Sequence, residues 1–422
     1  MTAPGHSSRP ALLGGEPVRL HPLPSVLDPA GRTLGDEEVA AVERVIRSGL
    51  LWQVGGHETP RLEAEFAARY GAGHAVATSS GTAALHLAVA AVDPDPGDEI
   101  ITTPLTDFGT VIPILAQNAV PVFADVDPLT GNLDPASVER LISPRTRAIV
   151  VVHLFGAAAP IGQLVQVAQR HGVMVIEDCA QAYLARPSDD GRFVGTYGDV
   201  GCFSLQQSKH ITCGDGGLAI CDDDELTRRM RLFADKGWPR EAGARTHLHL
   251  GLNYRITELQ AAVARAQLAK LRAVVDRRRA VAGRIITGCA DLSGLAWPEA
   301  PQRHAFWLLP MVVDHDVTGA DNQAWSEALA AEGIPASAGY LSAPIYEYPV
   351  LAQRRTYGAS GFPLTVPPAR ADALVPPSCR HAERLVGDTL VTLACNEGWS
   401  DADADDVITA IRKVHDWFRT TG

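Results

Sequence analysis

Short, nearly continuous apolar runs alternate with amphipathic stretches between residues 72 and 220. Runs of four to seven apolar residues are typical of strands buried on both faces of a parallel sheet. The stretches between them carry apolar residues at helical spacing. The alternation predicts a three-layer α/β domain with a mainly parallel sheet. The predicted strands are 75–79, 98–104, 120–126, 148–156, 172–179 and 217–222, and the predicted helices are 83–92, 135–142 and 162–172.

The pattern changes in the rest of the chain. A long helix is predicted over about 256–287, and three arginines at 277–279 are interpreted as its solvated face. We predict a large domain over 1–270 and a smaller α/β domain over 271–422, with the boundary inside that helix. The second domain is predicted to contain a strand at 304–314, a helix at 322–334, an irregular stretch at about 339–380 and a closing helix at 400–418.

Composition and charge narrow the class of protein. The 422 residues are 46% hydrophobic and 20% charged, which is typical of a soluble globular protein. The formal net charge of -12 argues against a nucleic acid partner, because a phosphate backbone requires a basic surface.

The sequence suggests no membrane or metal association. No apolar run approaches the roughly 20 residues of a membrane helix, and the first fifteen residues lack a signal-peptide pattern. We therefore expect a cytoplasmic protein with no membrane partner. The seven cysteines form no CxxC pair, so we expect reduced core residues and neither disulfides nor a metal site.

The segment SSGTAAL (79–85) joins a predicted strand to a predicted helix. The first turn of a helix has free N–H groups, and Gly81 lets an anion approach them closely. The hydroxyls of Ser80 and Thr82 add two more donors. These residues fit an anion site, and they fit an ordinary helix cap as well.

The strand predicted over 172–179 ends with two carboxylates, Glu177 and Asp178. A carboxylate in such a buried position needs a cationic or donor partner, because burial otherwise favours its protonated form. A structural ion pair, a helix cap and a catalytic carboxylate all satisfy this requirement.

A single lysine, Lys209, lies among small polar residues and glycines in FSLQQSKHITCGDGG (203–217), five residues after Ser204. A lysine that loses hydration at a sheet edge has a lower pKa and can form a Schiff base. An ordinary surface lysine is the alternative interpretation.

The three segments together place an anion site, a carboxylate and an amine at the carboxyl edge of one sheet, where open α/β sheets bind ligands. Pyridoxal phosphate needs these three groups for its phosphate, its pyridine nitrogen and its aldehyde. Phe108 in TTPLTDFGT (102–110) is placed to stack on the ring, although a core phenylalanine explains it equally well.

In these residues the chain resembles the DegT/DnrJ/EryC1/StrS family of pyridoxal phosphate-dependent aminotransferases, which aminate keto-sugars and keto-cyclitols. The resemblance implies fold type I of the PLP-transferases, the aspartate aminotransferase-like fold, with a smaller C-terminal domain. It rests on several separated stretches in the same order: 63–88, PGDEIITTP (96–104), VHLFG (152–156), EDCAQA (177–182), 198–217 and LGLNYRITELQAA (250–262).

The resemblance implies a role for each matching residue. Lys209 would bind the cofactor covalently and move the proton, and the amino group would pass through pyridoxamine phosphate. Asp178 would pair with the pyridine nitrogen. The remaining cofactor contacts would be Gln181 at the ring hydroxyl, Phe108 on the ring face, and Gly81, Thr82 and Ser204 at the phosphate.

The resemblance also implies a homodimer with shared active sites, in which Asn253 reaches the phosphate bound by the partner chain. Arg255 in the same segment fits a structural role better than a direct contact with the cofactor. The expected substrate contacts are His153, Phe155, Tyr183, His247 and His249, although buried or interfacial structural roles explain these residues too.

The donor is expected to be glutamine or glutamate, and two classes of acceptor stay open. QQSK (206–209) resembles members that aminate unactivated keto-cyclitols in aminoglycoside-type pathways. HITCGDGG (210–217) resembles members that act on nucleotide-diphospho-keto-sugars, and Lys236, Arg240 and Arg245 could provide a basic loop for such a substrate.

Other reactions on the same fold are weaker alternatives. A PLP-dependent lyase or decarboxylase would share Lys209 and Asp178. Relatives that dehydrate sugars have histidine at the lysine position, so Lys209 disfavours a dehydratase. A protein that kept the fold without catalysis would not need the full set of site residues.

Overall fold

Two β-sheets organise the chain, whose computed structural model describes residues 9–189, 191–243, 245–365 and 379–421. The larger sheet has the order β1-β7-β6-β5-β4-β2-β3. β7 is antiparallel to both of its neighbours, and the other pairings in this sheet are parallel. Its strands are β1 (His74–Thr78), β2 (Glu99–Thr102), β3 (Val120–Phe123), β4 (Thr146–Val152), β5 (Met174–Asp178), β6 (Val200–Ser204) and β7 (Gly217–Cys221).

Helices cover both faces of this sheet. Alternate residues of β4 face opposite sides: Val150 belongs to an apolar cluster with Leu87, whereas Val151 belongs to a cluster with Leu164. Both faces are therefore buried, which explains the nearly continuous apolar runs. The helices up to this point are α1 (Asp36–Ser48), α2 (Glu58–Tyr70), α3 (Gly81–Val92), α4 (Ile112–Ala116), α5 (Pro135–Leu141), α6 (Ile161–His171) and α7 (Asp224–Ala234).

A 31-residue helix, α8 (Glu258–Gly288), leads to the second sheet. Thr257 and Gln260 form its capping box, which fixes where the helix begins. The second sheet is antiparallel, with the order β10-β11-β9-β8. Its strands are β8 (Leu295–Ala296), β9 (Leu308–Val313), β10 (Ala336–Ala338) and β11 (Leu390–Ala394), and the remaining helices are α9 (His315–Thr318), α10 (Asn322–Ala331), α11 (Pro349–Ala352), α12 (Arg380–Arg384) and α13 (Asp401–Thr421).

The segment before α1 packs against the second sheet and its helices. Leu23 lies in one apolar cluster with Trp325 and Val391. The indole N–H of Trp399 donates to the carbonyl oxygen of Pro24 over 2.8 Å. The predicted division into 1–270 and 271–422 stays a prediction, since α8 runs unbroken through it.

Most predicted elements appear within a few residues of their expected bounds, but one strand was missed and one interpretation was wrong. β6 was not predicted as a separate strand. The interpretation of the arginines at 277–279 as a solvated face is wrong for Arg278, which is 1% exposed and pairs with Glu397 over 2.7 Å. Part of the predicted irregular stretch, 366–378, lies outside the described residues.

Within the described ranges, no helix combines the length and apolar character that crossing a bilayer requires. The seven cysteines are free; six are buried and Cys213 is partly buried.

Candidate active site

A cavity of about 470 Å³ opens where β5 and β6 end. The larger sheet and its loops supply most of the lining, and the part of the chain after α8, called the second unit below, adds two aromatic residues, Trp307 and Tyr340. The lining residues are Ser80, Gly81, Thr82, Leu85, Thr106, Asp107, Gly109, Thr110, Val152, Asp178, Ala180, Gln181, Ser204, Gln206, Ser208, Lys209, Asp215, Trp307 and Tyr340. The predicted lysine, carboxylate and phosphate-site residues are therefore brought together.

The start of α3 forms one end of the cavity. Ser80 caps the helix, because its Oγ accepts a hydrogen bond from the N–H of Ala83 over 3.0 Å. A Cβ on Gly81 would lie 2.6 Å from the Cβ of Ser204, so only glycine fits between α3 and β6. The hydroxyls of Thr82 and Ser204 line the same space. This end of the cavity has the donors and the open backbone that a phosphate requires.

Asp178, the last residue of β5, is buried at the cavity floor. Its Oδ2 accepts a hydrogen bond from the hydroxyl of Thr110 over 2.9 Å, and its Oδ1 accepts one from the N–H of Ala180 over 3.1 Å. Burial raises the pKa of Asp178, while these two donors and the charge of Lys209 act in the opposite direction. A cationic ring nitrogen would therefore find a well-oriented acceptor here.

The preceding residue, Glu177, faces away from the cavity and is structural. Burial would raise the pKa of Glu177, but the hydrogen bonds from His153 and backbone N–H groups hold it below its usual value. The ligand atoms of His153, Glu177 and Cys179 lie within 4.8 Å of one another. Nε2 of His153 bonds to Glu177, and Nδ1 of His153 accepts from the N–H of Ala159. The Glu177 carboxylate also accepts from three backbone N–H groups, those of Gly195, Tyr197 and Gly198.

Lys209 lies in the loop after β6, and its side chain is partly buried. Its Nζ is 4.2 Å from the centroid of the Trp307 ring. Burial lowers the pKa of Lys209, and the charges of Asp178 and Asp107 oppose that shift. Arg32 fixes the main chain by donating to the carbonyl oxygen of Lys209 over 3.0 Å.

Gln181 lines the cavity, and protein groups hold its side-chain amide. Its Oε1 accepts from the N–H of Phe155 over 2.7 Å, and its Nε2 donates to the hydroxyl of Tyr340 over 3.2 Å. Phe155 has a positive φ of 57°, so this backbone turn is held in an uncommon conformation beside the site.

Trp307 and Tyr340 were missed by the sequence predictions. Trp307 immediately precedes β9, and Tyr340 lies two residues after β10. Both come from the second unit, so their place in the cavity depends on how the two units pack. No local motif marks either residue, since each looks like an ordinary aromatic residue next to a strand.

Phe108 does not line the cavity, whereas its neighbour Asp107 does. The Asp107 carboxylate caps the short 3-10 helix Phe108–Thr110 by accepting from the N–H of Gly109 over 2.7 Å. The ring of Phe108 instead lies 6.2 Å from that of Tyr348. The stacking role of Phe108 stays a prediction.

The expected substrate residues fall into two groups. His153, Phe155 and Tyr183 are buried, and the Tyr183 hydroxyl donates to the carbonyl oxygen of Ser204 over 2.8 Å. His247 and His249 are exposed on a loop outside the cavity lining. In this single chain none of the five contributes to the cavity wall.

Asn253 follows that loop and is exposed. Arg255 forms an ion pair with Asp235, which fits a structural role. The role of Asn253 across an interface stays a prediction.

Comparisons with known proteins agree with this geometry. A model of the DegT/DnrJ/EryC1/StrS aminotransferase family matches residues 32–382. The chain is 38% identical over 433 residues to an L-glutamine:2-deoxy-scyllo-inosose aminotransferase of Streptomyces kanamyceticus, with 97% of this chain and 98% of that protein covered.

Two solved structures show the same fold. One is DesV of S. venezuelae, determined in complex with a ketimine intermediate, which is 32% identical to this chain. The match has a TM-score of 0.77 and covers 90% of this chain and 94% of that chain. DesI, determined in the presence of its TDP-sugar product, is 28% identical, has a TM-score of 0.79, and the match covers 95% of each chain.

Proposed function

Because the chain belongs to the DegT/DnrJ/EryC1/StrS family, it is a pyridoxal phosphate-dependent aminotransferase, and we propose that its acceptor is an unactivated keto-cyclitol. The amino donor in this proposal is L-glutamine, with L-glutamate as the alternative. The observation that carries the proposal is the 38% identity, over 97% of the chain, to an enzyme named for L-glutamine and 2-deoxy-scyllo-inosose.

The charges of the cavity support an uncharged, polyhydroxylated acceptor. Lys209 is the only cation among the described residues that line it, whereas Asp107, Asp178 and Asp215 are acidic. Asp178 and Lys209 are assigned to the cofactor, which leaves Asp107 and Asp215 to accept hydrogen bonds from the hydroxyl groups of the acceptor. Apart from Lys209 and the helix end that would hold the cofactor phosphate, no described lining residue offers a positive charge to a diphosphate, so an uncharged cyclitol suits this cavity better.

A nucleotide-diphospho-keto-sugar is the second candidate acceptor, and the similarity to DesI favours it. The basic loop residues predicted for such a substrate do not line the cavity of their own chain. Arg240 pairs with Asp235. Lys236, Arg240 and Arg245 all lie over the ring of Trp238, with cation-to-centroid distances between 4.0 and 5.8 Å.

The site residues fit pyridoxal phosphate, which when bound supplies an electron sink for the reacting carbon. The amide groups of the first turn of α3, with the hydroxyls of Thr82 and Ser204, would hold its phosphate. Asp178 would keep a proton on its ring nitrogen. The amine of Lys209 would take a proton from the donor carbon and give it up in the next step.

We also propose that the protein forms a homodimer with shared active sites and that it is located in the cytoplasm. The segments around Asn253 expose large apolar residues: Trp52 is 51% exposed, Leu248 is 48% exposed and Leu250 is 89% exposed. Large apolar side chains that are exposed in a single chain favour burial against a second protein surface. The free, mostly buried cysteines are consistent with a reducing compartment.

The experiment that tests the acceptor compares two ketones. The purified, cofactor-loaded protein is given L-glutamine with either 2-deoxy-scyllo-inosose or a TDP-linked keto-sugar, and amine formation is followed by mass spectrometry. We expect kcat/KM to be at least about tenfold higher for the cyclitol. A preference for the TDP-linked ketone would overturn the proposed acceptor. Consumption of donor without amination of either ketone would favour a lyase.

A further inference from the structure

Trp307 contacts two consecutive residues of the lysine loop. Its ring face lies under the Lys209 ammonium group, with 4.2 Å between Nζ and the ring centroid. Its indole N–H donates to the carbonyl oxygen of Ser208 over 2.9 Å. One side chain from the second unit therefore contacts both the reacting amine and the backbone that carries it.

The position of the Trp307 ring is fixed from several directions. The N–H of Trp307 donates to the carbonyl oxygen of Phe155 over 2.8 Å. Its own carbonyl oxygen accepts from Arg278, whose guanidinium is held by the buried Glu397. The indole also meets the ring of Tyr340 edge-on, with an interplanar angle of 88°. The cation–π contact therefore belongs to a rigid arrangement of packed groups.

We propose that Trp307 is a further catalytic residue, whose ring face stabilises the ammonium form of Lys209 while that lysine carries the proton. The inference rests on the proposed role of Lys209 as the proton carrier. The neutral amine takes one proton from the carbon bearing the donor nitrogen and becomes an ammonium ion, and it releases the same proton in the following step. No oxidant or other reactant is needed, and Trp307 is chemically unchanged.

The ring of Trp307 stabilises the ammonium form of Lys209 without carrying a charge itself, unlike the acidic neighbours of that lysine. Asp178 and Asp107 face the amine and favour its ammonium form, but Asp178 would be engaged by the cofactor ring. Arg32 contacts the lysine carbonyl. Tyr340 lines the same cavity, and burial raises its pKa, so it is a neutral phenol. An aromatic face stabilises a cation without needing a proton or a counter-charge of its own, and the effect is larger where water is displaced.

The test measures the pKa of the free Lys209 amine. The full chain is loaded with pyridoxamine 5′-phosphate, which leaves Lys209 unattached, so no turnover is needed. Competitive acetylation across a pH series, read by mass spectrometry of the peptide containing Lys209, gives its pKa. The variants are Trp307→Phe and Trp307→Leu, and the control is Trp297→Leu, a partly buried indole of the second unit outside the cavity.

We expect Trp307→Leu to lower the pKa of Lys209 by about half a unit to one and a half units, and Trp307→Phe to lower it by less. The control should leave it unchanged. A purely structural role through the indole N–H predicts equal shifts in the Phe and Leu variants, and that result would overturn the proposal. An unchanged pKa in Trp307→Leu would also overturn it. If Trp307→Leu does not fold, Trp307→Phe decides, and an unchanged pKa there contradicts the proposal.

Discussion

The Thr110 hydroxyl donates its hydrogen to Oδ2 of Asp178 over 2.9 Å, and the same hydroxyl lies 2.9 Å from that of Thr106. An ionised carboxylate only accepts hydrogen bonds, so Thr110 donates to Asp178 and is left to accept from Thr106. This chain of donors orients the carboxylate at the end of β5. It also favours the charged form that a protonated pyridine nitrogen requires.

Replacing Thr110 with valine should weaken cofactor binding. Valine keeps the shape but removes the donor, so burial acts on the Asp178 carboxyl with less opposition and its pKa should rise. A hydrogen bond to a charged group contributes enough to predict binding about tenfold to a hundredfold weaker. An absorbance titration with pyridoxal phosphate measures this. Thr102→Val, which removes a buried hydroxyl bonded to Val150, is the control and should bind normally.

Replacing Gly81 with alanine should close the phosphate end of the cavity. The new methyl group would come within 2.6 Å of the Cβ of Ser204, which β6 holds in place. We expect a cost of about 1–3 kcal/mol and a matching loss of cofactor affinity. Gly283→Ala is the control, because nothing lies within 4 Å of its added Cβ inside α8. Normal cofactor affinity in Gly81→Ala would contradict the assignment of the phosphate site.

The donor half-reaction should depend on the protonation of Lys209. Burial lowers the pKa of the lysine from 10.5, and only the neutral amine accepts a proton. The single-turnover rate with L-glutamine should therefore rise with pH, with a midpoint below pH 10.5. Asp107→Asn removes a charge that raises this pKa, so it should shift the midpoint to lower pH. A midpoint shift to higher pH would contradict the electrostatic account.

Mixed subunits test the shared active site. Lys209→Ala and Asn253→Ala should each be impaired alone, and random dimers of the two should recover about a quarter of the wild-type activity. Recovery occurs because one site of each mixed dimer has both native residues. Lys209→Ala mixed with Asp178→Ala is the control and should recover nothing, since both residues lie in one cavity. Failure of the first pair, with subunit exchange confirmed, would argue for unshared sites.

Glu397 should be important for stability although it lies outside the cavity. Its carboxylate is buried between Arg32 and Arg278. Glu397→Gln would leave two buried cations without a counter-charge, and loss of one partner of a buried pair costs about 3–5 kcal/mol. Denaturant unfolding gives the free energy of unfolding. Glu43→Gln breaks an exposed pair with Arg47 and should change it little.

The larger sheet was predictable because its strands are short, apolar and buried on both faces. The carboxyl ends of such strands meet at one edge, so Asp178 and Lys209 could be assigned to one site from their places in the chain. β6 was harder to recognise, since VGCFS is short and has a glycine at its second position. The burial of Arg278 could not be predicted, because its partner Glu397 lies more than a hundred residues away.

The second wall of the cavity was not predictable for the same reason. Trp307 and Tyr340 reach the cavity because the two sheets pack together, which no local pattern reports. The sequence could not show that Asp107, and not its neighbour Phe108, lines the cavity, because the two positions differ by one residue. The short 3-10 helix begins directly after Asp107, and this places Asp107 rather than Phe108 along the cavity.

Transfer of labelled nitrogen tests the central claim most directly. The cofactor-loaded protein is incubated with L-glutamine labelled with ¹⁵N at the α-amino group and with 2-deoxy-scyllo-inosose, and the cyclitol is analysed by mass spectrometry. The proposed function predicts an aminocyclitol that carries the label, and no labelled product with Lys209→Ala. A cyclitol that stays unlabelled, while the native protein binds pyridoxal phosphate and folds normally, would contradict it.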